Sequence, residues 1–140
     1  MDNRKTQSVR WIFWLLMFNI AASLFHFLHN MIYFDAYPNE PEWLSPGRID
    51  IVWLVITPLG LLGYLLYCRR RHFASLLLLY LYGLMGLGGL GHYLLAPISA
   101  HTLMMNLSIL LESAAALLLL GYVGAMQFTS RRSRGGRVTS

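Results

Sequence analysis

Four long apolar stretches dominate this chain of 140 residues, and each is long enough to cross a lipid bilayer as a helix. They cover residues 11–34, 49–68, 73–95 and 99–128, and a bilayer core needs roughly 20 helical residues. The runs are continuous rather than alternating, and lipid offers no partner to open backbone groups, so we expect α-helices rather than barrel strands. The sequence therefore predicts an all-α integral membrane protein, a single-domain four-transmembrane-helix bundle with short loops.

Basic residues are concentrated at one end of these spans. Lys and Arg residues precede the first span, join the second to the third and follow the fourth, whereas the opposite end carries only Arg48. Because Lys and Arg are retained on the cytoplasmic side, both termini are predicted to be cytoplasmic (N-in/C-in), in a bacterial cytoplasmic membrane. The tail 129–140 is rich in Arg, Ser and Gly and is predicted to be disordered near anionic lipid. The net charge of +5 is thus a topology signal and gives no reason to invoke nucleic acid.

Four of the five histidines fall at the predicted non-cytoplasmic end of three spans. His26 and His29 lie in the last turns of the first span, His92 near the end of the third, and His101 near the start of the fourth. Neutral imidazole is a ligand for zinc, copper and iron. This layer predicts a site that binds a transition metal or haem, for redox chemistry, metal handling or metal-assisted catalysis.

The candidate metal ligands are the four histidines and two nearby carboxylates that could complete the shell: His26, His29, His92, His101, Asp35 and Asp50. A haem b would instead take one axial histidine from the first span and a second from His92 or His101. The alternative is that the histidines are hydrogen-bonding interior residues, as single histidines on membrane helices commonly are.

Helical geometry predicts polar seams on three spans. At about 100° per residue, residues four or seven apart share a face, and two seams have four members each: Asn19, Ser23, His26 and Asn30 on the first span, and His101, Met105, Ser108 and Glu112 on the fourth. On the second span Asp50 aligns with Thr57. We expect such seams to face the interior of the bundle.

Glu112 lies about 16 Å below His101 along the fourth span, close to the middle of the bilayer. A carboxylate at that depth is unfavourable and marks a functional site by default. The alternative is a neutral structural glutamate that bonds to Asn19 or Thr57 across the bundle.

The third span carries five glycines within residues 83–91. Small residues permit close approach between membrane helices, or they leave space for a flat ligand. The same glycine-rich face is a candidate interface for a membrane-protein partner or a second copy of the chain.

The chain has four spans, the segment Pro41-Glu42-Trp43 after the first of them, and acidic or polar groups inside the predicted bundle. In this layout it resembles the sterol isomerase and sigma-2 receptor group of four-helix membrane proteins. The resemblance implies a lipid-facing pocket in which Glu112 and a histidine act as proton donor and acceptor on an isoprenoid or sterol-like substrate, positioned by Asn30, Thr57 or Asn106.

A third class of function is a structural or accessory subunit of a membrane complex. The sequence has no nucleophile motif and no glycine-rich phosphate loop that would argue against it.

The connection 35–48 contains three prolines and is too polar to be embedded in lipid. We expect it either to fold back as a lid that brings Glu40 or Glu42 to the histidines, or to be a plain solvated connector. The single Cys68 excludes an intrachain disulfide. It lies beside the membrane, where it is either palmitoylated or an unmodified thiol.

Overall fold

The computed structural model of the protein describes residues 3–135, with side chains from residue 6 to 129. Within this range the chain forms helices and no strand, and the five α-helices are α1 (Asn3–Ile32), α2 (Pro46–Cys68), α3 (His72–Met85), α4 (His92–Leu95) and α5 (Leu103–Gly135). Four segments are long and apolar enough to cross a membrane: Thr6–Ile32, Pro46–Cys68, His72–Leu95 and Leu103–Thr129. The predicted all-α class and the four apolar spans are confirmed.

The four long helices pack side by side in chain order, as a ring. Helix α1 contacts α2 and α5, and α3 contacts the same two neighbours. We name the two ends of the bundle by their residues: the arginine end carries Arg10 and the turn 69–71, and the histidine end carries the loop 33–45 and the turn 96–102. An apolar core fills the arginine half and comprises Ile12, Leu16, Leu79, Tyr82, Leu119 and Val123.

Glycines bring α3 close to its two neighbours. A Cβ at Gly60 of α2 would lie 2.8 Å from the ring of Tyr82, and a Cβ at Gly86 would lie 2.9 Å from the Cβ of Ala116 on α5. Gly83 is equally close to a side chain of α5. Gly83 and Gly86 of the glycine-rich run therefore serve packing inside the molecule. The interface with a partner or second copy stays a prediction.

The third span is not the continuous helix that the hydropathy pattern indicates. Helix α3 ends at Met85, a 3₁₀ turn follows at Gly88–Gly91, and α4 adds only His92–Leu95. Glycine disfavours a helix by about 1 kcal/mol per residue relative to alanine, which accounts for a break where glycines are concentrated. At membrane depth, non-helical backbone is tolerated only where it is buried in protein or lines a cavity.

Other boundaries also differ from the predicted ones, and α1 begins at Asn3 and α2 at Pro46, earlier than predicted. The first span ends at Ile32 and is followed by a 3₁₀ turn at Phe34–Ala36. Helix α5 begins at Leu103, so His101 lies in the preceding turn and not on the fourth span. Helix α5 also continues to Gly135, so residues 129–135 are helical where disorder is predicted, and residues 136–140 lie outside the described range.

Candidate functional site

His26 of α1 is at the centre of a buried polar group in the histidine half. Its Nδ1 lies 3.1 Å from Ser108 Oγ, and its Nε2 lies 3.7 Å from Glu112 Oε2. Ser108 and Glu112 lie about one turn apart on α5, and the exposed fractions of His26 and Glu112 are 3% and 1%. The two seams predicted for α1 and α5 do face the interior, since Asn19, Ser23, His26, Asn30, His101, Met105, Ser108 and Glu112 are all buried.

The hydrogen bonds of Ser108 determine which nitrogen of His26 carries the proton. Ser108 Oγ is 2.8 Å from the carbonyl oxygen of Met105 and donates its single hydrogen there. It must therefore accept from His26 Nδ1, because a hydroxyl has one donor. A neutral imidazole then presents Nε2 as an acceptor towards Glu112. Only a protonated Glu112 carboxyl can donate to that nitrogen.

Gly89, in the 3₁₀ turn of the third span, borders this pair. A Cβ at Gly89 would lie 2.9 Å from Glu112 Oε2 and 3.4 Å from His26 Nε2. The absence of a side chain at Gly89 therefore lets this turn approach Glu112 and His26 closely. The break in the third span therefore borders the buried pair of His26 and Glu112.

A second polar group lies nearer the histidine end and is centred on His92. Asn30 Nδ2 lies 3.1 Å from His92 Nε2, and Glu40 Oε1 lies 2.8 Å from His92 Nδ1. The Glu40 contact is close but is not aligned as a hydrogen bond, since Oε1 has no bond of normal geometry among the described residues. The ring of His92 also neighbours those of His26 and His101, with centroids 5.4 and 6.2 Å apart.

Sequence reasoning missed Tyr37, which is 4% exposed and joins the loop to the histidines. Its hydroxyl lies 2.9 Å from His29 Nδ1, and its ring centroid lies 4.9 Å from that of His92. No periodic pattern marks a tyrosine in a proline-rich connection as a buried residue. Together with Glu40, Tyr37 shows that the loop packs back onto the histidine layer, which is the lid arrangement and not the plain connector.

Several buried polar atoms near this site have no hydrogen-bond partner among residues 6–129. They are Asn19 Oδ1 and Nδ2, Asn30 Oδ1, Thr57 Oγ1, His101 Nε2 and Glu112 Oε2. Glu112 is thus not bonded to Asn19 or Thr57, and the interpretation of Glu112 as a structural glutamate held by them is wrong. Buried polar groups are normally satisfied by protein, water or a ligand, so these atoms indicate a site able to bind a polar group.

The candidate metal ligands are only partly brought together. Within the described range no group of three or more His, Cys, Asp or Glu side chains is arranged to hold a metal ion. Asp35 and Asp50 are exposed, and neither forms a hydrogen bond or ion pair with a described residue. His29 is turned towards Tyr37. The six predicted ligands therefore do not form one coordination shell.

The rings of His26 and His92 are not arranged to hold one haem between them. The rings of His26 and His92 are in direct edge contact at an interplanar angle of 77°. A porphyrin could lie between them only if the two helices moved apart. Binding of a metal or haem stays a prediction.

The charge state of Glu40 is expected to control how firmly the loop is docked. Burial raises the pKa of the Glu40 carboxyl above its ordinary value of 4.5, and His101 offsets this in part by lowering it. The docked loop holds the proton more tightly than the free loop does. The stabilisation that the Glu40 carboxyl gives to the docked loop is therefore fully present below the ordinary pKa of this group. It is lost as pH rises through the raised pKa.

We predict that amide hydrogen exchange in residues 37–44, corrected for intrinsic rates, accelerates as pH rises through that range. Glu40→Gln should abolish the acceleration, whereas Glu42→Gln, at an exposed position two residues away, should keep it. Equal pH dependence in all three proteins would contradict the assignment to Glu40.

Comparison of the chain with known proteins gave no match among family models, curated proteins or solved structures. The likeness to the sterol isomerase group is therefore one of layout.

Proposed function

We propose that this is an integral membrane protein whose histidine half holds an acid/base site for a sterol- or isoprenoid-type lipid, with Glu112 as proton donor and His26 as proton acceptor. The observation that carries the proposal is the buried pair, with Glu112 Oε2 and His26 Nε2 3.7 Å apart on facing helices. General acid/base catalysis needs two such groups within reach of one substrate. The tautomer set by Ser108 gives each group its role.

The pair is suited to moving a carbon–carbon double bond. Glu112 would give its proton to one alkene carbon, and His26 Nε2 would take a proton from the carbon on the other side of the resulting cation. The double bond is shifted and the lipid keeps its number of hydrogens. After each turnover His26 gives up its proton to water and Glu112 takes one from water, so the site is restored without any other reactant and the new hydrogen of the lipid comes from solvent.

The break in the third span supports access from the bilayer. Gly88 is exposed, and a Cβ there would meet nothing within 4 Å, while the adjacent Gly89 borders the acid/base pair. Exposed apolar side chains flank the break on both sides, including Met85 and Leu90. An apolar substrate could enter here from lipid, and unpartnered polar atoms such as Asn19 Oδ1 could bind its hydroxyl.

The proposal also includes the orientation of the protein in the membrane. The basic flanks of the spans favour N-in/C-in topology in a bacterial cytoplasmic membrane. The histidine end then faces the non-cytoplasmic side, and the acid/base site lies in that half of the bilayer.

A transition metal or haem site is the second candidate function. It is favoured by His101 Nε2, which is buried without a partner, on a ring next to that of His92. Elemental analysis and a visible spectrum of the purified protein test it. Metal or haem at stoichiometric level that is lost in His92→Ala would replace the acid/base proposal.

The proposed function is tested by deuterium transfer from solvent. The purified protein, in nanodiscs supplied with sterol and isoprenoid lipids, is incubated in D₂O, and the lipids are analysed by mass spectrometry. We expect one deuterium per isomerised lipid, with metal content at background. Labelling no greater than in nanodiscs without the protein would contradict the proposal and leave a structural or accessory role.

A further inference from the structure

The arginine half carries a groove that the acid/base site does not use. It consists of two adjoining open depressions of the surface, of about 550 and 510 Å³, and Trp11 lines both of them. The first is bordered by Thr6, Gln7, Arg10, Trp11 and Trp14. The second is bordered by Trp11, Leu15, Leu117, Leu118, Gly121 and Tyr122. We name the two together the Trp11 groove.

The Trp11 groove is polar at one end and apolar at the other. Arg10 and its polar neighbours lie towards the arginine end of α1, and Leu15 lies about one turn further into the bundle. On α5, Leu117 lies about 6 Å further towards the middle of the bundle than Gly121. The groove therefore runs from the surface of the proposed membrane-embedded region towards its middle. Like a phospholipid, it is polar at the membrane surface and apolar further inside.

Arg10 supplies a cation that has no counterion among the described residues. It is exposed and forms no ion pair with any acidic residue of the described range. The acids in that range are Asp35, Glu40, Glu42, Asp50 and Glu112, and all belong to the histidine half. The guanidinium of Arg10 is therefore available to an anion from outside the described chain.

Gly121 leaves the apolar part of the groove open. A Cβ at Gly121 would meet no atom within 4 Å. Its neighbours Leu117 and Leu118 are more than half exposed, at 58% and 55%. An acyl chain laid along this surface would contact α1 and α5 together.

We propose that the Trp11 groove binds one anionic phospholipid, with its phosphate at Arg10 and one acyl chain against Leu15 and Gly121. A guanidinium bonds a phosphate through two parallel N–H donors, and tryptophans such as Trp11 and Trp14 are favoured at the level of lipid headgroups. The exposed charge of Arg10 selects the headgroup, and the open apolar surface at Gly121 binds the acyl chain. This site is independent of the acid/base function.

The test is native mass spectrometry of the full-length protein released from nanodiscs that contain equal amounts of phosphatidylglycerol and phosphatidylcholine with the same chains. We expect the wild-type protein to retain one phosphatidylglycerol in preference to phosphatidylcholine. Arg10→Gln should reduce that preference about fivefold, the effect of one basic residue near an anionic surface. Arg10→Lys should largely keep it. Gly121→Leu should reduce retention of both lipids, and Gly121→Ala should do so less.

Arg69→Gln is the matched control, because it removes the same charge at the arginine end outside the groove. An equal loss of preference in Arg69→Gln would show a general charge effect and overturn the proposal. Unchanged lipid retention in Gly121→Leu would overturn it as well. A protein dimer that Gly121→Leu dissociates, in place of the lipid adduct, would show that a second copy occupies the groove. If Gly121→Leu does not fold, the comparison of Arg10→Gln with Arg10→Lys is sufficient to test the proposal.

Discussion

Glu112→Gln is expected to lower the rate of deuterium transfer to lipid at least about 100-fold, the range that a single general acid contributes. Glutamine has nearly the same shape as a protonated glutamic acid, and its amide can face His26 Nε2 as the carboxyl does. It cannot release a proton to an alkene carbon. The substitution therefore removes the chemistry while retaining the packing of a side chain that is 1% exposed. Rates are measured by mass spectrometry of the lipid in D₂O, and folding by the thermal midpoint in detergent.

Two further variants test whether this loss is specific to the proposed proton donor. Glu42→Gln, at an exposed position in the loop, removes the same kind of group without touching the site and should leave the rate unchanged. His26→Gln removes the acceptor and should lose activity to a similar extent, and the double variant should be little worse than either single one because the two groups act as a unit. If Glu112→Gln retains full activity with an unchanged midpoint, the carboxyl is not the proton donor.

Much of the fold could be predicted because a bilayer imposes strict requirements. A span must be long, apolar and helical, so the hydropathy of the sequence locates four of them to within a few residues. The arithmetic of 100° per residue correctly places His26 on the same face as Asn19 and Asn30, and Ser108 on the same face as Glu112. These are local properties of single helices. They need no knowledge of how the helices pack.

The parts that depend on packing between helices could not be predicted. Hydropathy does not distinguish a continuous apolar helix from one that is broken at Gly88–Gly91, since both are apolar. Alignment of Asp50 with Thr57 suggests a third seam, yet Asp50 is exposed whereas Thr57 is buried. Tyr37 became buried through the fold of a loop whose path is set by contacts distant in sequence.

Gly89→Val is expected to lower the rate of deuterium transfer about 100-fold, because displacing reacting groups by about 1 Å can cost that much. Gly89 does not have a positive φ, so valine is permitted by the backbone and its effect is steric. Its Cβ would lie 2.9 Å from Glu112 Oε2, and the carboxyl must move away from His26. Overpacking of this kind also costs about 1–3 kcal/mol of stability, measurable as a lower thermal midpoint.

The neighbouring Gly88 provides the control for this substitution. A Cβ at Gly88 would meet nothing within 4 Å, so Gly88→Val places the same side chain on the same 3₁₀ turn but directs it away from the acid/base pair. We expect it to retain the midpoint and to lower the rate much less than Gly89→Val does, since Gly88 borders the proposed entry route and not the pair itself. If the two variants lose activity equally, the glycines act through the flexibility of the break and not through the space beside Glu112. In that event the third span would be a hinge, and the closeness of Gly89 to the pair would have no catalytic meaning.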